Sequence, residues 1–187
     1  ALRYEEEVDG KFVFGMEESH GYLMGSHSGD KDGIWASMAF AEMAATLKKS
    51  NLTAIDRLNQ IQQQYGPHLD TLRTQTFTGT EGLEKIQQIM RKLRNSPPKS
   101  VAGQTVVKIT DYLENTIICA DATKNLQGPG LPKSNVISLE LSDNTRITAR
   151  PSGTEPKIKY YFNLHGKNSA LLQERLVEIQ AEFLSDQ

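Results

Sequence analysis

The sequence predicts an α/β segment followed by an α+β domain, and three observations carry that expectation. Up to about Asp70, one short apolar run leads into a loop and then into two stretches with apolar residues at helical spacing. From Thr71 onward the pattern turns to near-alternation, with several short strand candidates and only two helical stretches. Gly66-Pro67 punctuates the change, which places the division at residues 1–70 and 71–187.

Taken in order, Lys11-Phe12-Val13-Phe14 reads as a buried strand that ends at Gly15 and empties into a loop reaching about Gly33. Ile34, Trp35, Met38, Ala41, Met43, Ala45 and Leu47 cover a wide helical face, and the lysines that close this stretch suit the negative end of a helix dipole. That pattern predicts a largely buried helix from Ile34 to about Lys49. A second helix is expected from Asn51, as a possible cap, to Tyr65, with Leu52, Ile55, Leu58 and Ile61 on one side. Thr71 to Thr78 then alternates like a strand, and Thr80 with Glu84 opens a helix running to about Arg94, stopped by Asn95-Ser96-Pro97-Pro98. Strands are expected at Thr105–Ile109, Thr116–Cys119, Asn135–Leu141, Thr145–Ala149 and Lys157–Leu164, and a closing amphipathic helix at Ser169–Leu184. The stretch Gly128-Pro129-Gly130-Leu131-Pro132 is a loop between strands.

Composition sets outer limits. The 187 residues carry 21 Lys and Arg against 23 Asp and Glu, a formal charge of -2, which gives no general attraction to nucleic acid or to an anionic membrane. Any affinity for anions must therefore be local. The one cysteine, Cys119, lies in the apolar run Thr116–Ala120 and reads as a buried, inert thiol, compatible with a reducing cytoplasm. No stretch approaches the roughly 18 consecutive apolar residues of a membrane span. The chain begins without Met and enters structure by Phe12, which favours a cut made inside a longer protein.

Three constellations carry chemistry. Gly15-Met16-Glu17-Glu18-Ser19-His20-Gly21 sets a carboxylate and a hydroxyl side by side, a pairing suited to vicinal sugar hydroxyls, because a carboxylate accepts two hydrogen bonds and charge assistance strengthens them. An acidic surface loop is the plain alternative. Ser28-Gly29-Asp30-Lys31-Asp32-Gly33 would keep Lys31 charged between two carboxylates, or is an ordinary charged loop before a helix. As a calcium loop it fails, since the twelfth position from Ser28 or Asp30 is Ala39 or Ala41 where a bidentate Glu is needed. His20 and His27 show no regular metal-ligand spacing relative to these acids.

Arg150-Pro151-Ser152-Gly153-Thr154-Glu155-Pro156-Lys157-Ile158-Lys159 is the third constellation, a strand end, a tight loop and a new strand. Its chemistry points to phosphate: two hydroxyls, a glycine that lets backbone N–H groups converge, a guanidinium that grips two oxygens, and two lysines on one side of a strand. A turn whose hydroxyls are internally satisfied is the other reading. Ser152 as a nucleophile has no neighbouring base in the sequence.

In this order, Gly-Met-Glu-Glu-Ser-His-Gly, Asp-Lys-Asp-Gly and Arg-Pro-Ser-Gly-Thr-Glu-Pro-Lys resemble the phosphoglucomutase/phosphomannomutase (α-D-phosphohexomutase) superfamily over essentially the whole chain. The resemblance implies that residues 1–70 close the family's third, α/β domain. Residues 71–187 would be its fourth, with a mainly antiparallel sheet packed by helices in a TATA-box-binding-protein-like arrangement. It also implies that Glu17 and Ser19 hold sugar hydroxyls and that Lys31 manages charge or protons at the active site. Arg150, Ser152, Gly153 and Thr154 would hold the phosphate that is not transferred, with Lys159 as a helper and Glu155 orienting the loop. The family reaction moves a phosphoryl group between C1 and C6 of a hexose by way of an enzyme phosphoserine, assisted by Mg2+.

Neither a Thr-Ala-Ser-His-Asn-Pro-like serine loop nor an Asp-Gly-Asp-Gly-Asp-like magnesium loop occurs in the sequence. The implied partners are therefore hexose phosphates and N-terminal mutase domains of the same parent chain, with Mg2+ bound outside these residues and the isolated chain inactive. A phosphopentomutase, a non-catalytic sugar-phosphate-binding module and a structural module are the rival readings.

Overall fold

The computed structural model describes residues 11–17, 21–25, 27–120, 126–153 and 155–185. The chain divides into two compact units, one through Gln64 and one from Tyr65.

In the first unit, β1 (Phe14–Glu17) pairs antiparallel with β2 (Gly21–Met24), with Phe14 opposite Met24 and Glu17 opposite Gly21. Two helices follow, α1 (Gly33–Lys49) and α2 (Ala54–Tyr65). The side chain of Asp32 caps α1, its Oδ1 accepting the N–H groups of Ile34 and Trp35, each at 3.0 Å. Thr53 caps α2 reciprocally: Asp56 Oδ2 accepts the Thr53 N–H at 2.8 Å and Thr53 Oγ1 accepts the Asp56 N–H at 3.1 Å. Asn51, expected as that cap, instead turns the chain between the helices with φ +54°.

Three expectations for this unit are corrected. The strand starts at Phe14, not Lys11, and Val13 is 72% exposed. The stretch after Gly15, expected as loop, forms a hairpin in which β2 pairs with β1. The expected burial of α1 also fails, since none of its residues is buried and Ile34, Met38 and Phe40 stand open. Spacing revealed an apolar face, but only something lying against that face can bury it.

In the second unit the order is β3 (His68–Thr76), α3 (Gly79–Asn95), β4 (Ser100–Val101), β5 (Gln104–Asp111), β6 (Thr116–Cys119), β7 (Leu126–Gln127), β8 (Ile137–Leu141), β9 (Arg146–Pro151), β10 (Lys157–His165) and α4 (Ser169–Ser185). The sheet runs β3-β10-β9-β8-β5-β6-β7, with β4 on β5, and every pairing among the described residues is antiparallel. Strand periodicity explains the core. Ile158, Tyr160, Phe162 and Leu164 alternate along β10 and are at most 2% exposed, beside Ile147 and Ala149 of β9 and Ile137, Leu139 and Leu141 of β8. Ile86, Ile89, Met90 and Leu93 of α3, with Leu172, Leu176, Ile179 and Phe183 of α4, complete this core. Phe183 meets Tyr160 and Phe162 edge to face, with centroids 5.8 and 6.2 Å apart. Burial pushes the Tyr160 phenol well above its usual range.

Because both helices cover one face, the alternate residues of β10, Lys157, Lys159, Tyr161 and Asn163, stand on the other face. The strand expected from Thr71 begins at His68 instead, and β4 and β7 were not anticipated. The helix expected from about Glu81 starts at Gly79 after Thr78, which makes no side-chain cap bond. Cys119 is half-buried on β6 rather than buried: it shares the more covered side of the strand with Ile117, but that side too is only partly covered.

Candidate functional sites

The first candidate site is built by the hairpin and the loop that enters α1. Lys31 Nζ donates to Glu17 Oε1 at 2.6 Å, joining two motifs that lie 14 residues apart. Gly21 makes this possible: it is buried, and a Cβ there would sit 2.5 Å from Glu17 Cγ and closer still to Lys31 Cδ. The loop is pinned by the Asp32 N–H donating to the Tyr22 carbonyl at 2.8 Å, and by the Lys31 N–H donating to Asp30 Oδ1 at 2.7 Å. His27 Nε2 reaches Asp32 Oδ2 at 3.3 Å while its ring stacks on Trp35 with centroids 5.4 Å apart.

The electrostatics follow from these contacts. The hydrogen bond and charge of Glu17 hold the Lys31 ammonium above its ordinary pKa, with Asp30 adding to the effect. Asp32 is held below the ordinary carboxylate range by the Trp35 N–H, then by His27. The expectation that Lys31 sits between Asp30 and Asp32 is therefore corrected: Glu17 is its partner, and the Asp32 carboxylate is committed to the helix start. Ser19 lies outside the described residues. Both Glu17 and Lys31 are about half exposed, so the pair is open to competition from polyol hydroxyls.

The second candidate site lies where β9 turns into β10. Arg150 stands directly opposite Lys159, on the face that the helices leave open, because Ala149, Ile158 and Tyr160 point into the core. Across β10 from Arg150, Lys159 also faces Thr74 of β3. The loop between them closes on itself: the Ser152 N–H donates to the Lys157 carbonyl at 2.9 Å, the Lys157 N–H to the Glu155 carbonyl at 2.7 Å, and the Glu155 N–H to Ser152 Oγ at 3.3 Å. Just beyond the end of β3, the Phe77 N–H donates to the Pro156 carbonyl at 2.9 Å.

These bonds correct two details. The Ser152 N–H is used inside the loop and its Oγ accepts the Glu155 N–H, so this amide does not join the expected cradle of donors. Lys157, expected to strengthen the positive field, donates to Glu155 Oε1 at 2.9 Å and is offset by it. Gly153 has nothing within 4 Å of the place where a Cβ would stand. Thr154 lies outside the described residues. Sequence reasoning missed the joining of Glu17 to Lys31 and the need for glycine at position 21. Complementary charge in two neighbouring loops was the available signal for the first.

Among the described residues no group of three His, Cys, Asp or Glu side chains converges as a Mg2+ site requires, and no helix is long and apolar enough to cross a membrane. Glu17 is engaged by Lys31 and Asp32 by the start of α1, so the acids at the first site do not fit such an ion.

Residues 4–65 match the family described as phosphoglucomutase/phosphomannomutase, α/β/α domain III. The chain is 40% identical over 158 residues to a phosphoglucomutase of Staphylococcus aureus strain MSSA476, covering 83% of this chain and 28% of that protein. The corresponding protein of strain USA300 is 41% identical over 158 residues with the same coverage. Among solved structures, the open form of the exocytosis-sensitive phosphoprotein pp63/parafusin, a phosphoglucomutase from Paramecium, superposes with a TM-score of 0.58 at 22% identity, over 90% of this chain and 30% of that one. The chain thus spans 28% of the length of the curated relatives it matches. These matches support reading the chain as a fragment of a phosphohexomutase, with a domain III match in residues 4–65.

Proposed function

We propose that this chain supplies sugar and distal-phosphate binding to a phosphohexomutase that interconverts hexose 1-phosphate and hexose 6-phosphate, with glucose as the first sugar to test. The observation that carries the reading is the Arg150 and Lys159 pair, two cations held face to face beside a serine loop. A phosphate dianion matches the charge of both side chains and the forked geometry of a guanidinium.

At the other site, Glu17 accepts hydroxyl hydrogens of the sugar, as does Ser19 in this reading, and the sugar thereby competes for the bond that now holds Lys31. Because its proton is held tightly, Lys31 acts as a cation and hydrogen-bond donor near the reacting oxygen rather than as a base. Holding the distal phosphate accelerates transfer by fixing geometry, although it touches no bond that breaks. In the whole enzyme the phosphoserine and Mg2+ loops lie outside these residues. The ion, when bound there, neutralises developing charge on the transferred group.

A coupled assay tests this. The 187-residue chain alone should not turn over glucose 1-phosphate, whereas the whole enzyme should. Arg150→Ala in the whole enzyme should lower kcat/KM by about tenfold to a hundredfold, the worth of a hydrogen bond to a charged group. Turnover by the isolated chain would overturn the division of labour, and preference for ribose 1-phosphate would reassign the sugar.

A further inference from the structure

The final residues of β10 and the first of β3 bring His165 directly opposite His68, with ring centroids 4.3 Å apart and planes tilted by 33°. Each ring makes one hydrogen bond to the backbone that leads into β3. His165 Nε2 lies 3.1 Å from the Tyr65 carbonyl, and His68 Nδ1 lies 3.2 Å from the Gly66 carbonyl. A carbonyl oxygen only accepts, so each of these nitrogens carries the proton, and the other nitrogen of each ring keeps a lone pair. The seat of His165 is shaped for its ring. Gly66 takes φ +87°, and a Cβ there would stand 2.8 Å from both His165 Nε2 and the Gly166 carbonyl.

Both rings spend their proton on adjacent carbonyls of one short segment, which leaves the lone pair on Nδ1 of His165 and on Nε2 of His68, in two rings that lie against each other. We infer that His68 and His165 form a two-imidazole site for Zn2+, Cu2+ or Ni2+ across the ends of β3 and β10. A backbone carbonyl on the far nitrogen is the usual support of a metal-bound histidine, since it fixes the tautomer and the ring direction. Imidazole nitrogens select these ions over Mg2+ and Ca2+, which take oxygen ligands.

No third His, Cys, Asp or Glu joins the pair among the described residues, so water completes the coordination. Asp70, on the same face of β3, is held by Asn163 Nδ2 at 2.7 Å. The site stands six residues along β10 from Lys159, about 20 Å away, and is independent of the phosphate reading. A bound ion would fasten the two strand ends beside Tyr65, where the second compact unit begins.

Zn2+ titration of the 187-residue chain at neutral pH, followed through the histidine ring signals in NMR, tests the inference. Saturable one-to-one binding that moves His68 and His165 together is expected, with no response to Mg2+. Affinity should fall at least tenfold in His68→Asn. His165→Asn also removes the bond to Tyr65, so His68→Asn is the decisive variant. The proposal is overturned by an absence of binding, by shifts confined to His20 and His27, or by an unchanged affinity in His68→Asn.

Discussion

Glu17 and Lys31 meet at 2.6 Å across Gly21, a glycine with no room for a methyl group between them. Gly21→Ala must therefore part the pair or shift the hairpin. In the whole enzyme this variant should lose activity comparably to Lys31→Ala, although residue 21 has no side chain to offer a substrate. Parallel kinetics of the two variants check this, and a Gly21→Ala enzyme with unchanged kcat would refute the link.

The pair also has a pH signature. Glu17 raises the Lys31 pKa in the folded chain above 10.5, so the folded state holds this proton more tightly than the unfolded one. The stabilisation is complete below 10.5 and lost as pH rises through the folded value. Asp32 behaves oppositely: its lowered pKa stabilises above 3.8 and the benefit fades as pH falls through the folded value. In Glu17→Gln, the Lys31 titration followed by NMR should move down toward 10.5.

Stability of the second unit should respond to Asp111. Arg94 Nε donates to Asp111 Oδ2 at 2.8 Å, with side chains only 15% and 10% exposed, and Asp111 Oδ1 also accepts the Leu113 N–H at 2.9 Å. Asp111→Ala leaves a mostly buried guanidinium uncompensated and should cost about 3 kcal/mol in urea unfolding.

The two units should also differ in their response to core truncation. Phe183→Ala, which opens the space beneath Tyr160 and Phe162, should cost about 3 to 5 kcal/mol. Met38→Ala, at a site 66% exposed, should fall within about 0.5 kcal/mol in this chain. The open face of α1 should instead show itself through binding of a hydrophobic dye, reduced by Phe40→Ser without a change in the second unit's thermal midpoint.

Much of the fold was legible because strand and helix periodicity survive in the core. Ile158, Tyr160, Phe162 and Leu164 alternate cleanly, and Thr116–Cys119 was placed to the residue. The hairpin strand Gly21–Met24 was not, since four residues flanked by glycine carry too little pattern to stand apart from a loop. Burial of α1 was misread because periodicity reports which residues share a face, not whether anything lies against it. The positions of Arg150 and Lys159 on one side of their strands could be read from alternation. That the Ser152 amide closes its own loop could not, because hydrogen-bond partners in a tight turn depend on backbone angles that the residue types leave open.

The most direct test is a titration of the chain with glucose 6-phosphate, followed by amide shifts around the β9–β10 turn. The account predicts progressive, saturable shifts near Arg150 and Gly153, weakened about tenfold or more in Arg150→Met. Shifts absent well beyond about 1 mM ligand, or unaffected by the loss of Arg150, would contradict it.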